Sequence, residues 1–413
     1  MEALGARFAL DPTGTATALA FVFGGIALGT LSGLTPGLHV NNLALLLASV
    51  APAVPGPPRL VGAAMLAAGV VHSFLDAVPA LALGVPDAAM AATALPGHRL
   101  VIAGRGREAI RLSALGSGLA VAFAVPLAVP VTRAMTVAYP VVRANLSVVL
   151  AGAVAFLLLT EGSLRAVVGG AAAFIGSATL GHATLDLSPA APLSSGWMLT
   201  PLFAGLFGAP VLVEALSGSG IPEQDDATVA TSRRSVGSTA LAGSLAGAIV
   251  GYLPGVSAAV AAVVALALVP GSTDARGFVV ATSGVNTANT IFALFALSAL
   301  GTPRTGVMVA LRETDAPVNL PLLLASAGLA GIAGFLLVLS VGDRYLRAVG
   351  SLDQFRLSVT VLCLLTALSF LFAGELGVGV FAVAALVGLV PAQFGARRVH
   401  LMGVLLGPLM LGT

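Results

Sequence analysis

The stretch GTLSGLTPGLHVNN, Gly29 to Asn42, decides how this chain is read. Uncharged apolar sequence runs into it and out of it, yet Pro36 and Gly37 interrupt any helix at its centre, and His39, Asn41 and Asn42 follow at once. Proline cannot donate a backbone proton and clashes with the preceding turn, while glycine accepts unusual dihedrals. No polar loop separates the two apolar runs, so the break belongs in or beside a membrane. Broken backbone is costly in lipid and persists only where protein or a water-filled cavity covers it.

Composition points the same way. Of 413 residues, 58% are hydrophobic and 9% charged, with a mean hydropathy of +1.04; soluble domains carry roughly 25% charged residues. More than ten uncharged apolar stretches approach the roughly 20 residues that cross a hydrocarbon core about 30 Å thick. They are rich in Ala, Leu, Val and Gly without strand-type alternation, so the expected fold is an all-α polytopic membrane protein rather than a barrel. A formal charge of +2 on so few ionisable groups carries no nucleic-acid inference. Lysine is absent and arginine supplies every basic chain other than histidine, which fits a GC-rich prokaryotic genome such as that of a halophilic archaeon or an actinobacterium. The single cysteine, Cys363, excludes a disulfide framework and reads as a small buried hydrophobe. Near the N-terminus, Asp11 and Pro12 separate Arg7 from the apolar run, and no small-residue cleavage pattern follows, so the segment reads as the start of a membrane helix rather than a signal peptide.

The opening motif recurs. GGIALGTLSGLTPGLHVNNLALLLASVAP aligns with AGSLAGAIVGYLPGVSAAVAAVVALALVP, placing Pro36 on Pro254 at an offset of 218 residues, and Gly25, Gly29, Gly33, Gly37 and Pro52 on Gly243, Gly247, Gly251, Gly255 and Pro270. After a one-residue slip, His72 and Ser73 fall opposite Asn289 and Thr290, and GVP at 84–86 opposite GTP at 301–303. The chain is therefore expected to comprise a transmembrane repeat over 1–216, a polar linker over 217–238 and a second transmembrane repeat over 239–413. Helices are predicted near 14–34, 38–51, 60–83, 108–130, 144–160, 164–181 and 197–216, and near 237–252, 256–269, 277–300, 318–341, 357–373, 376–391 and 399–411. Arginine clusters at 99–111, 233–234, 344–356 and 397–398 mark the cytoplasmic side. Counting crossings then puts 304–312 outside, despite Arg304 and Arg312, while its repeat partner 87–99 lies inside. The halves are thus expected to be inverted repeats whose Pro-Gly-broken or re-entrant helices meet near the midplane.

A helix restarting after Pro-Gly aims unpaired amides and a positive dipole end at a cavity, which suits an anion. The candidate substrate-binding set is Pro36, Gly37, His39, Asn41, Asn42 and Ser73 in the first half, with Pro254, Gly255, Ser257, Asn286, Asn289 and Thr290 in the second. Amides and hydroxyls in TSGVNTANTIFAL suit an anion's oxygens or a partly dehydrated sodium ion. Charge at membrane depth needs a reason, and Asp76, with His72 one helical turn earlier, is the candidate ion-coupling pair. Glu161, Glu214 and Glu375 fall near helix ends and read as solvated interfacial carboxylates, with His98 and His182 in loops. No phosphate-cradling loop, zinc-type histidine spacing or supported nucleophile triad appears, so neither an enzyme nor an ATP-driven pump is expected.

GLTPGLHVNN, GVPDAAMAATALPGHRLVIAGRGREAI, GYLPGVSAAVAA and GVNTANTIFALFALSALGTPRTG together resemble the TctA-like large membrane subunit of tripartite tricarboxylate transporters, most closely its shorter archaeal-type members. The resemblance covers roughly residues 20–120 and 240–312. It implies a secondary active permease for small carboxylates in the cell membrane, coupled to Na+ or H+ with no other cofactor. It also implies assistance from an extracytoplasmic binding protein and a small membrane subunit; a homodimer is a further expectation. Bacterial members are longer and tend to carry an acidic residue ahead of paired asparagines, where this chain has GVNTANT. The alternative, from LPGVSAAVAA, is a flippase for polyprenyl phosphate or another lipid-linked anion.

Overall fold

The structure is a computed structural model that describes every residue except 1, 4, 5, 8–10, 85–93, 194–197, 217–220, 226, 254–257, 268, 270–273, 315, 316 and 413. Apart from a two-residue strand pair at Glu2–Ala3 and Ala6–Arg7, the described elements are helical. Among the described residues, eight helices are long and apolar enough to cross a membrane, and four shorter apolar ones accompany them.

In the first half, α1 (Pro12–Gly33) starts where the Asp11 carboxylate caps the Gly14 amide, and α2 (Val40–Val50) follows the Pro36-Gly37 break. Next come α3 (Pro58–Leu75) and α4 (Ala77–Leu83), nearly continuous across Asp76. A glycine with positive φ, Gly84, closes α4, and α5 (Ala94–Ile102) and α6 (Gly106–Ala144) come after it. The second half repeats this order: α11 (Arg233–Tyr252), α12 (Ala258–Ala267), α13 (Ala275–Leu300) closed by positive-φ Gly301, α14 (Gly306–Glu313) and α15 (Leu320–Gly350).

The glycine ladders explain how each broken segment packs. A Cβ added at Gly25, Gly29 or Gly33 would fall 2.1, 2.4 or 3.0 Å from the carbonyl oxygens of Ala64, Ala68 and His72 on α3. Added at Gly243, Gly247 or Gly251, it would meet the carbonyls of Ala281, Val285 and Asn289 on α13 at 2.7, 2.8 and 3.2 Å. Each partner pair is the one that the sequence alignment equates. Residue numbers rise together along both interfaces, so α1 runs parallel to α3 and α11 to α13. Only glycine lets backbones approach this closely.

Across the halves the order reverses. Leu81 and Val279 both flank Gly97, Asn286 bonds to Ser73 and Asp76, and Leu66 and Val70 share a small pocket with Thr290, Ile291 and Leu294. α3 and α13 therefore pass antiparallel at the centre. α6 lies along α13 through Ser113–Ser283 and Gly116–Val280, and α15 lies along α3 through Ser326–Ala63 and Gly334–Phe74.

A second layer is built from α7 (Leu146–Leu159), α8 (Leu164–Thr184), α9 (Leu199–Phe203), a wide turn over 204–208, α10 (Ala209–Ala215), α16 (Gln354–Gly388), α17 (Val390–Phe394) and α18 (Gly403–Leu411). Most of these share an apolar cluster around Leu150, Phe207 and Leu401, while Ala209 and Leu212 of α10 join the main core. α16 breaks at Gly374, whose φ of 60° only glycine adopts easily.

Several sequence expectations change. α6 runs through Pro126, Pro130 and Pro140, all three exposed, to Ala144 instead of ending near 130; proline is tolerated inside membrane helices. α5 and α14 were not predicted as helices; they are too short to give a hydropathy signal. His98 sits within α5 and His182 in the last turn of α8, not in loops. Cys363 is exposed rather than buried, since a membrane helix is apolar on both its covered and its lipid-facing sides. Glu161 is not solvated: its side chain, 5% exposed, pairs with Arg397 and His400. Glu214 pairs with Arg398 while remaining 44% exposed.

The arginines of 105–111 meet Arg276 and Arg347 at one end. Glu108 binds Arg105, Arg276 and the Ala230 amide, and Asp343 binds Arg107 and Arg111, so the starts of α6 and α13, the end of α15 and the linker meet there.

Candidate functional site

The Pro36-Gly37 break is a compact turn. Gly37 has φ +72°, and a side chain there would strike Leu365 of α16 at 2.4 Å. His39 then caps α2 with its own ring: Nδ1 accepts the Asn41 amide at 3.0 Å, and its carbonyl accepts the Asn42 and Leu43 amides. This alters the sequence reading. The first-turn amides of α2 at Asn41, Asn42 and Leu43 are taken up by His39 rather than offered to an anion. The His39 ring stacks on Phe203 of α9 at 5.8 Å.

His39, Val40 and Asn41 form one wall of a cavity of about 180 Å³. Ser73 of α3 lies beside them, and α13 contributes Asn286, Asn289 and Thr290. Arg304, Thr305 and Val307 flank the start of α14, and Val250 and Ala258 flank the second break. Leu199, Phe203, Met402 and Leu405 of the second layer close the far side with an apolar face. Thus both halves supply polar groups, and the second layer supplies a dry wall.

Three hydrogen bonds tie the halves together at this place. Asn41 Oδ1 accepts the Gly306 amide at 2.9 Å, capping α14 from across the halves, and Asn286 Nδ2 donates to Asp76 Oδ2 at 2.7 Å and to the Ser73 carbonyl at 3.4 Å. Asp76 occupies the junction of α3 and α4 and is 6% exposed.

Of the residues singled out from sequence, His39, Asn41, Ser73, Asn286, Asn289 and Thr290 come together on the cavity wall. Pro36 and Gly37 do not; they form the turn beneath Leu365. Asn42 is fully buried, with neither side-chain atom partnered among the described residues. His72 faces Ser32 of α1, its Nδ1 3.0 Å from the hydroxyl, while Asp76 accepts from Asn286 of α13. Pro254, Gly255 and Ser257 lie outside the described residues.

A profile of the family described as "Tripartite tricarboxylate transporter TctA family" matches residues 19–403. The chain belongs to the TctA family. It is a multi-pass membrane protein of a transporter family. An uncharacterized protein of Methanocaldococcus jannaschii is 27% identical over 404 residues, which cover 95% of this chain and 98% of that protein. No solved structure matches this TctA-family chain.

Sequence reasoning missed the apolar wall and Arg304. Leu199, Phe203, Met402 and Leu405 carry no distinguishing pattern among many apolar residues. Arg304 did leave a signal. It follows the proline in GTPRT where the aligned GVPDA of the first half has Asp87, a reversal of charge within an otherwise matching motif.

Proposed function

We propose that this TctA-family chain is a secondary active permease for a small organic anion, a carboxylate, coupled to a Na+ or H+ gradient and working by alternating access. The observation that carries the reading is the cavity itself. It is small, is lined by amides, hydroxyls and one guanidinium, and sits where the two halves exchange hydrogen bonds. Buried polar groups without partners mark places built for a ligand or an ion. Asn289 Oδ1 and Thr305 Oγ1 are two such atoms among the cavity residues.

The halves are read as inverted repeats. Support comes from the parallel pairs α1/α3 and α11/α13, combined with the antiparallel crossing of α3 and α13. In transporters of this build, two related halves exchange roles around a central site. Asp76 is assigned to ion coupling: its carboxylate lies one hydrogen bond behind Asn286, so binding a proton or sodium ion there would change what Asn286 offers the cavity. An extracytoplasmic binding protein and a small membrane subunit are proposed as partners, in a prokaryotic cell membrane; the tripartite family description supports partner subunits in general.

The test is uptake of labelled carboxylates into proteoliposomes under an imposed proton or sodium gradient, run beside flipping of a fluorescent lipid phosphate. Gradient-dependent carboxylate uptake supports the permease. Flipping without uptake would replace it with the lipid reading.

A further inference from the structure

We infer that Arg304 anchors the substrate and that the site selects a short monocarboxylate over di- and tricarboxylates; this rests on the permease reading above. Among the described residues, Arg304 is the one Asp, Glu, Lys or Arg side chain on the cavity wall. It is held rather than neutralised. Its Nη2 bonds to the Tyr139 hydroxyl of α6, and its guanidinium lies 5.0 Å from the centre of that ring. Among the described residues its buried Nε has no partner, and no carboxylate pairs with it. A planar cation fixed in this way presents a fork suited to one carboxylate.

The rest of the wall argues against more negative charge. The α2 amides are capped by His39, so they add no further anion-binding donors at Asn41, Asn42 or Leu43. The far wall, with Phe203 and Met402, solvates no charge. The first half does not supply a matching cation either, because the position aligned with Arg304 is Asp87. A second carboxylate would enter a partly dry site without a counter-charge, which is unfavourable.

The experiment measures competition by butyrate, pyruvate, succinate and citrate for uptake in proteoliposomes, using the wild type, Arg304→Gln, Arg304→Lys and Tyr139→Phe. The expected order places both monocarboxylates ahead of succinate and citrate. Loss of one charge-assisted contact should weaken monocarboxylate affinity by about 10- to 100-fold in Arg304→Gln. Arg304→Lys should recover part of it, and Tyr139→Phe should raise KM more than it lowers kcat. Unchanged affinity in a correctly inserted Arg304→Gln, or a wild type that prefers citrate, would overturn the assignment while leaving the permease intact. A wild type that takes up none of the four overturns the permease reading itself.

Discussion

Asn286 donates its side-chain amide to the Asp76 carboxylate over 2.7 Å, although 210 residues separate them in sequence. Hydrogen bonds to charged groups contribute about 1.5–3 kcal/mol, and a buried carboxylate deprived of one keeps its desolvation cost. Asn286→Ala should therefore lower unfolding stability by about that amount. Asp76→Asn should abolish gradient-driven uptake without preventing insertion. Retained ion-dependent uptake in Asp76→Asn would remove this carboxylate from the coupling site.

Asn289 tests the cavity wall more directly, because its Oδ1 has no partner to lose among the described residues. Asn289→Ala should leave the melting temperature near that of the wild type while abolishing transport. A variant that melts early and still transports would assign Asn289 to packing instead.

The glycine ladder gives a contrast within one helix. Gly24 has open space where a Cβ would stand, whereas a Cβ on Gly29 would sit 2.4 Å from the Ala68 carbonyl oxygen. Overpacking of this kind costs about 1–3 kcal/mol, occasionally more. Gly29→Val should lower the melting temperature in detergent and Gly24→Val should not. Equal tolerance at both positions would mean that α1 and α3 do not need their close contact.

The repeat was legible because each ladder glycine meets the same carbonyl position on its partner helix, so one packing rule left two copies of one spacing. His39, Asn41, Ser73, Asn286, Asn289 and Thr290 could be picked out because polar side chains are rare at this depth. The cap that His39 places on α2 was not legible, since whether a ring turns back onto its own helix depends on its rotamer and on Phe203 behind it. Arg304 was read as a loop charge, because its approach to the cavity depends on α14, a helix too short to appear in hydropathy. Cys363 was misplaced for the general reason that lipid and protein interior favour the same residues.

At the arginine-rich end, Glu108 is 0% exposed and holds Arg105, Arg276 and the Ala230 amide, which joins the two halves and the linker. Removing one member of a buried pair leaves the other uncompensated, at about 3–5 kcal/mol. The two arginines are partly exposed, so Glu108→Gln should cost nearer the lower figure. If the pair is the main coupling, Arg276→Gln in the Glu108→Gln background should add much less than it does alone. Additive losses in that double-mutant cycle would show that Glu108 and Arg276 act independently.

Glu161 gives the pH dependence. It lies between α7 and α8, outside the spanning helices. Burial pushes its carboxyl pKa up, but the Arg397 guanidinium and amide, with His400, outweigh that and hold it below its ordinary 4.5. A carboxyl whose pKa is lower when folded contributes stability that is fully present above the unfolded value and is lost as pH falls through the folded one. Melting temperature should therefore drop as pH is taken below about 4.5. Glu161→Gln should be less stable at neutral pH and should show a shallower acid slope, because the group whose protonation drives the loss is gone. An acid slope identical in the wild type and Glu161→Gln would place the sensitivity in other carboxylates, with Asp343 beside Arg107 and Arg111 the next to test.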